Sequence, residues 1–202
     1  MIRTFLALAV ALTLAGCGAE PKWASEESVQ AARFVSSEPP SLTLYTVINV
    51  RSGAGAHTGL LINGSERLIF DPAGTWHHPA LPERNDVHFG MSDRMVLFYI
   101  DYHARETFYV IEQKLPVSAG TAELVMQRAK AYGAVPKAMC TQSVSSILRG
   151  VPGFESLPQT YYPKVLSDAF AALPGVTSRK ITDDDADNNH GVLLVQAGNA
   201  AP

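Results

Sequence analysis

Cys140, His57 and Asp71 are the residues of this 202-residue chain whose types and settings suit covalent chemistry. A thiol attacks carbonyl carbon only as thiolate, and a free cysteine with a pKa of about 8.5 is a few per cent thiolate at neutral pH. An imidazole within reach takes the proton, and a carboxylate behind the imidazole orients it. Cys140 heads a run in which Cys140, Val144, Ile147 and Leu148 fall at i, i+4, i+7 and i+8. That spacing predicts a helix with one buried stripe and the cysteine at its N-terminus. The first turn of a helix offers unpaired N–H groups and the positive end of the dipole, which favour a thiolate and later an oxyanion. Cysteine is also a frequent core residue, and helix position alone fits that reading equally well.

His57 lies in Ala56-His57-Thr58-Gly59-Leu60-Leu61-Ile62, whose alternation predicts a strand. Gly59 shares the face of His57 and leaves room for another group to approach. Asp71 ends the next strand. An odd-length loop around Asn63-Gly64 puts Asp71 on the His57 face, whereas a two-residue turn puts it on the other; the odd loop is the expectation. Asp71 can instead merely cap the Asp71-Pro72 turn. His77, His78, His88 and His103 match no standard zinc spacing. Asp183-Asp184-Asp185-Ala186-Asp187 lacks the glycine and the last acidic ligand of a calcium loop, since Asn188 and Leu194 stand there. No metal and no cofactor are expected.

The N-terminus sets the compartment. Arg3, an apolar run from Phe5 to Leu14, and Leu14-Ala15-Gly16-Cys17 read as a secretory signal too short to span a bilayer as a mature helix. The tetrapeptide resembles the bacterial lipobox, in which the cysteine is diacylated and becomes the mature N-terminus. The resemblance implies palmitate-type acylation at Cys17, and Gly18 after it favours the outer membrane, facing the periplasm, over the inner one. Cys140 is then the single free thiol of the exported chain, with no partner for a disulfide.

The positioning elements follow from periodicity. Residues 1–16 are the signal, 17–41 a lipid-anchored tether with a helical stretch near Glu26 to Phe34, 42–197 one domain, and 198–202 a tail. Net charge is −3 with no basic stripe, which speaks against nucleic-acid partners. Strands are expected over Leu42 to Val50, Ala56 to Ile62, Arg67 to Asp71, Met95 to Asp101, Thr107 to Gln113 and Gly191 to Gln196, with a polar surface loop from Ala73 to Arg94. Helices are expected from Ser118 to Tyr132, Cys140 to Leu148 and Pro163 to Leu173. Strands first and helices afterwards argue an α+β fold with a mostly antiparallel sheet packed on the cysteine helix.

The His57 strand, the hairpin to Leu68-Ile69-Phe70-Asp71, and the later helix Cys140-Thr141-Gln142-Ser143-Val144-Ser145-Ser146-Ile147-Leu148 resemble the circularly permuted NlpC-like cysteine hydrolases. These are papain-like folds in which the histidine strand precedes the cysteine helix. The resemblance implies that Cys140 is the nucleophile, His57 the base and Asp71 the orienting group. Many members have a polar residue before the cysteine, where this chain has Met139. The implied activity is a thiol hydrolase or acyltransferase on amide or ester carbonyls. Its substrate would be a peptidoglycan peptide or a lipid or acyl group, and the protein a monomer held to the membrane through Cys17. The alternative is a catalytically silent lipoprotein that binds a lipid or protein partner in the same cleft.

Overall fold

A seven-stranded antiparallel sheet forms the middle of the molecule, in the order β4-β5-β3-β2-β1-β6-β7. The computed structural model describes residues 18–199, so the signal residues and Cys17 lie outside the described residues. The strands are β1 (Ser41–Asn49), β2 (Gly55–Asn63), β3 (Arg67–Phe70), β4 (Glu83–Arg84), β5 (Val87–Phe89), β6 (Phe108–Pro116) and β7 (Thr177–Ile181). The helices among the described residues are α1 (Glu26–Ala32), α2 (Asp93–His103), α3 (Ala119–Tyr132), α4 (Cys140–Leu148), α5 (Pro163–Ala171) and α6 (Asn189–Gly198). The fold is α+β, and α4 begins at buried Cys140.

The two sheet faces bury different residues. On one, Leu42, Leu44, Leu60, Ile62, Leu68 and Phe70 meet α3, α4 and α5 through Val125, Met126, Val144, Ile147, Leu148, Leu166 and Phe170. On the other, Tyr45, Leu61 and Ile69 meet Trp76 and α2 through Met95, Tyr99 and Ile100. The period-2 pattern of each strand produces this split. Burying a Leu or Phe side chain contributes about 1.5–3 kcal/mol, so the first layer supplies much of the driving force.

Local chemistry explains the borders. Ser118 caps α3 by accepting the Thr121 N–H (3.0 Å), and Gly133 ends it at φ 92°, a left-handed value that favours glycine. Pro163 occupies the first turn of α5, where no N–H is needed. Gln113 and Ser167 exchange two hydrogen bonds of 3.0 Å between β6 and α5, satisfying buried polar groups.

Several expectations are corrected. Met95 to Asp101 is not a strand but the middle of α2: Ser92 caps it, Asp93 opens it, and Met95, Tyr99 and Tyr102 form its buried i, i+4, i+7 stripe. Gly191 to Gln196 is likewise helix, inside α6, started by Asn188 accepting the Gly191 N–H (3.1 Å). The last strand is instead β7, whose Thr177-Ser178-Arg179-Lys180 is exposed at the sheet edge. The Ala73 to Arg94 segment is not all loop, for β4 and β5 extend the sheet through a two-residue turn at Asn85 and Asp86. Both turn residues have positive φ, 46° and 66°, as such hairpins require.

Candidate active site

The β2–β3 pairing sets Asn63 opposite Arg67, leaving Gly64, Ser65 and Glu66 as a three-residue loop. This odd loop keeps Asp71 in register with Gly59, on the face that carries His57. His57 Nε2 and Asp71 Oδ1 are 2.7 Å apart, and Asp71 is buried. Nε2 is therefore spent on the carboxylate, and Nδ1 is the ring nitrogen left for the thiol.

The Gly59 gap is filled by a side chain that the periodicity had assigned to a strand. The Tyr99 hydroxyl donates to Asp71 Oδ1 at 2.7 Å. A Cβ on Gly59 would overlap that hydroxyl. Asp71 Oδ1 thus accepts from both His57 and Tyr99, whereas Oδ2 has no hydrogen-bond partner among the described residues and lies tucked against Gly74. His103, four residues after Tyr99 on α2, stacks on the His57 ring with centroids 5.5 Å apart and planes 4° from parallel. Its Nδ1–H donates to the Tyr99 carbonyl at 2.8 Å. Tyr99 and His103 are functional candidates that a correct helix assignment over Asp93–His103 would have placed on one face.

Cys140 reaches the same place from the other layer. Thr141 Oγ1 shares a 2.9 Å hydrogen bond with Thr58 Oγ1, which pins the start of α4 over β2 one residue from His57. Cys140 Sγ lies 3.8 Å from Thr141 Oγ1 and is near enough to His57 for each to shift the other's pKa. Met139 at the N-cap supplies no capping side chain, so the first N–H groups of α4 are not claimed by one. Ala138 turns the chain into the helix at φ 67°, a left-handed conformation that costs a non-glycine residue about 1 kcal/mol or more.

The electrostatics favour a charged pair. Burial opposes charge on His57, yet the Asp71 carboxylate outweighs it and raises the imidazole to about 10. Burial also opposes charge on Asp71, but His57, with His103 and His88 behind it, holds the carboxyl well below its ordinary range. The Cys140 thiol is pushed up by burial and pulled down further by His57, the Thr141 hydroxyl and the Thr58 N–H, for a net lowering. Burial pushes His103 down to about 4, so at neutral pH it is an uncharged ring against a charged one. Chemically, the arrangement can hold a thiolate beside an imidazolium, deliver a proton from Nδ1, and offer helix N–H groups to an oxyanion.

Donor atoms of His57, Asp71 and His103 lie within 4.8 Å of one another. An ion bound there would have to displace the proton between His57 and Asp71. Asp101, Asp183 and Asp185 form a second acidic group, two of whose carboxylates already pair with Arg105, at 2.9 Å from Asp101 and 3.2 Å from Asp185. A cleft of about 480 Å³ borders His57, His103, Tyr102 and Thr75, and a smaller one of about 160 Å³ borders Val135 and Lys137 just before Cys140. Ala73, Gly74 and Thr75 line both and separate them. Comparison of the chain with protein-family models, with curated proteins and with solved structures finds no match.

Proposed function

We propose that the protein is a thiol hydrolase or acyltransferase of the cell envelope, with a permuted papain-like arrangement of the kind found in NlpC-like cysteine hydrolases. The observation that carries this reading is the His57–Asp71 pair at 2.7 Å beside a helix that starts at buried Cys140 and is tied by Thr141 to Thr58, one residue from His57. Sγ attacks the carbonyl carbon of an amide or ester, and the carbonyl electrons move to oxygen, to which N–H groups at the start of α4 donate hydrogen bonds. As the C–N or C–O bond breaks, His57 Nδ1–H protonates the leaving amine or alcohol. Water, deprotonated by the now neutral ring, attacks the thioester, releases the acid and restores the thiolate–imidazolium pair. An acyltransferase would use an acceptor amine or alcohol in place of water. Wall peptides and lipid or acyl carbonyls are both within this chemistry. Lipid on Cys17 would hold the protein to the membrane, at the outer membrane facing the periplasm.

The test is alkylation of the soluble form lacking the signal and Cys17, with iodoacetamide at about pH 6. A thiol with a pKa near 8.5 barely reacts there. Labelling of Cys140 at least tenfold faster than free cysteine, slowed to the free rate or below by His57→Ala, is the expected result. Labelling no faster than free cysteine, or indifferent to His57, sinks the pairing. One observation favours a second reading, a silent module that binds a lipid or protein partner: Cys140 is only 8% exposed and lines neither cleft. Protection of Cys140 until denaturation would select that reading.

A further inference from the structure

The segment after Cys17 forms one wall of the smaller cleft, which also takes in residues shortly before Cys140 in the chain. Ala24 N–H donates to the Glu83 carbonyl and Asn85 N–H to the Lys22 carbonyl, each at 3.0 Å. Trp23 bridges to Arg84, whose guanidinium lies over the indole at 4.8 Å, and Lys22 pairs with Glu83 at 2.9 Å. These contacts add the segment to the β4 edge of the sheet. Gly18, Glu20 and Lys22 then line the 160 Å³ cleft. Its other walls are Glu83 and Asp86, Ala73 to Thr75, which follow Asp71, and Val135 and Lys137, which precede Cys140.

This docking removes slack. Released as a whole, residues 18–40 would span on the order of 75 Å at about 3.3 Å per residue. Held at Lys22, the body is only five residue steps from Cys17, a reach of roughly 17 Å even when fully extended. Trp23 is 69% exposed beside this short leash. An indole ring with a polar edge suits the headgroup level of a bilayer.

We propose that the surface around this cleft lies against the bilayer holding the Cys17 anchor, so that the reacting carbonyl is one carried by that bilayer. The proposal rests on the readings of Cys17 as lipidated and of Cys140 as reactive. It narrows the substrate to a membrane lipid or lipid-linked acyl group and excludes a wall peptide reached at a distance.

The experiment places the full, lipid-anchored protein in phosphatidylcholine vesicles that also contain phosphatidylethanolamine with an iodoacetyl group on its amine. The thiolate of Cys140 displaces iodide, forming a C–S bond and breaking the C–I bond, so lipid attached to Cys140 reports proximity without any turnover. A second protein carries a 20-residue Gly/Ser insertion between Cys17 and Gly18, which adds an r.m.s. reach of about 25 Å. The expected result is lipid labelling of Cys140 in shared vesicles, at least tenfold slower with the insertion, while soluble iodoacetamide labels both proteins equally. Lipid labelling unchanged by the insertion, or absent where soluble reagent reacts, overturns the proposal. Failure of the protein to stay with the vesicles overturns it through the anchor. Slow reaction of both proteins with soluble reagent at about pH 6 instead overturns the reactive-thiol reading, and the ratio of lipid-borne to soluble labelling still reports the geometry.

Discussion

One face of the sheet is packed like any core, while the other is packed with groups that titrate. Beneath α3, α4 and α5 the contacts are Leu, Ile, Val and Phe. Beneath α2 the buried set includes Asp71, His88, His103, Tyr99 and Trp76 around the half-buried His57. The candidate pair takes its thiol from the first layer and its imidazole from the second. The apolar layer fixes where Cys140 stands, and the polar layer sets the charge of the ring that it meets. Substitutions in the two layers should therefore fail in different ways.

The largest effect belongs to the apolar layer. Leu148→Ala removes a fully buried side chain from the helix that carries Cys140. Such a truncation costs about 2–5 kcal/mol. Urea unfolding should show that loss, while the iodoacetamide rate of the still-folded protein stays within twofold of the original. A large drop in reactivity at intact fold would mean that the layers are not separable.

Asp71→Asn should do the reverse. Without the carboxylate, only Cys140 is left to oppose the burial that drives His57 neutral, so labelling at about pH 6 should fall roughly 100-fold, about 2.7 kcal/mol at 1.36 kcal/mol per decade. The stability of the pair has its own pH signature. His57 is raised in the folded state, to about 10, so its contribution is complete below about pH 6.5 and is lost as pH rises toward 10. Asp71 is lowered, so its contribution is complete above about pH 4 and is lost on acidification. The stability gap between the native protein and Asp71→Asn should be widest between about pH 4 and 6.5. A gap that widens above pH 6.5 would contradict the charged pair.

Much of the apolar layer was legible in the chain because burial on one face leaves a period. The Cys140 helix, the α3 cap at Ser118 and the β2–β3 hairpin all follow from spacing and turn chemistry. The polar layer left weaker traces. Met95 to Asp101 mixes aromatic and β-branched residues that also suit a strand, and the Ser92-Asp93 start signal was the better guide. Val192 to Val195 reads as a strand by composition, yet it sits in a helix whose one buried residue is Gln196. β7 shows no apolar alternation because an exposed edge strand needs none. His57 and Asp71 could be named from sequence, but Tyr99 and His103 could not, since their meeting depends on α2 crossing the sheet. Gly59 was the one hint, a vacancy whose occupant only the fold supplies.

That vacancy gives an intermediate effect. Tyr99→Phe removes the second donor to Asp71 Oδ1 and leaves the ring packing in place. A hydrogen bond to a charged group contributes about 1.5–3 kcal/mol. Labelling at pH 6 should slow about tenfold. Gly59→Ala should reproduce the loss by displacing the same hydroxyl. The double variant should be no worse than the more impaired single one, because both act through one contact. Additive losses would show that Gly59 matters for another reason.

The smallest effect lies where the layers are tied. Asp86 accepts the Ala73 N–H on Oδ1 at 3.2 Å and the Val135 N–H on Oδ2 at 2.7 Å, joining the segment after Asp71 to the segment before Cys140. Asp86→Asn keeps one acceptor and turns an N–H₂ toward the other donor. The expected cost is about 1 kcal/mol, with labelling slowed only two- to threefold. Burial raises Asp86 to about 6 although both N–H groups pull it down. Its folded form therefore keeps a proton that the unfolded chain releases near pH 4, and stability from this group falls as pH rises from about 4 to 6. The native protein's advantage over Asp86→Asn should accordingly narrow between pH 4.5 and 6.5 in urea unfolding. A twofold or threefold change in labelling means that the tie trims the approach of thiol and ring. A hundredfold change would place Asp86 beside Asp71 in importance and would make the division between the two layers untenable.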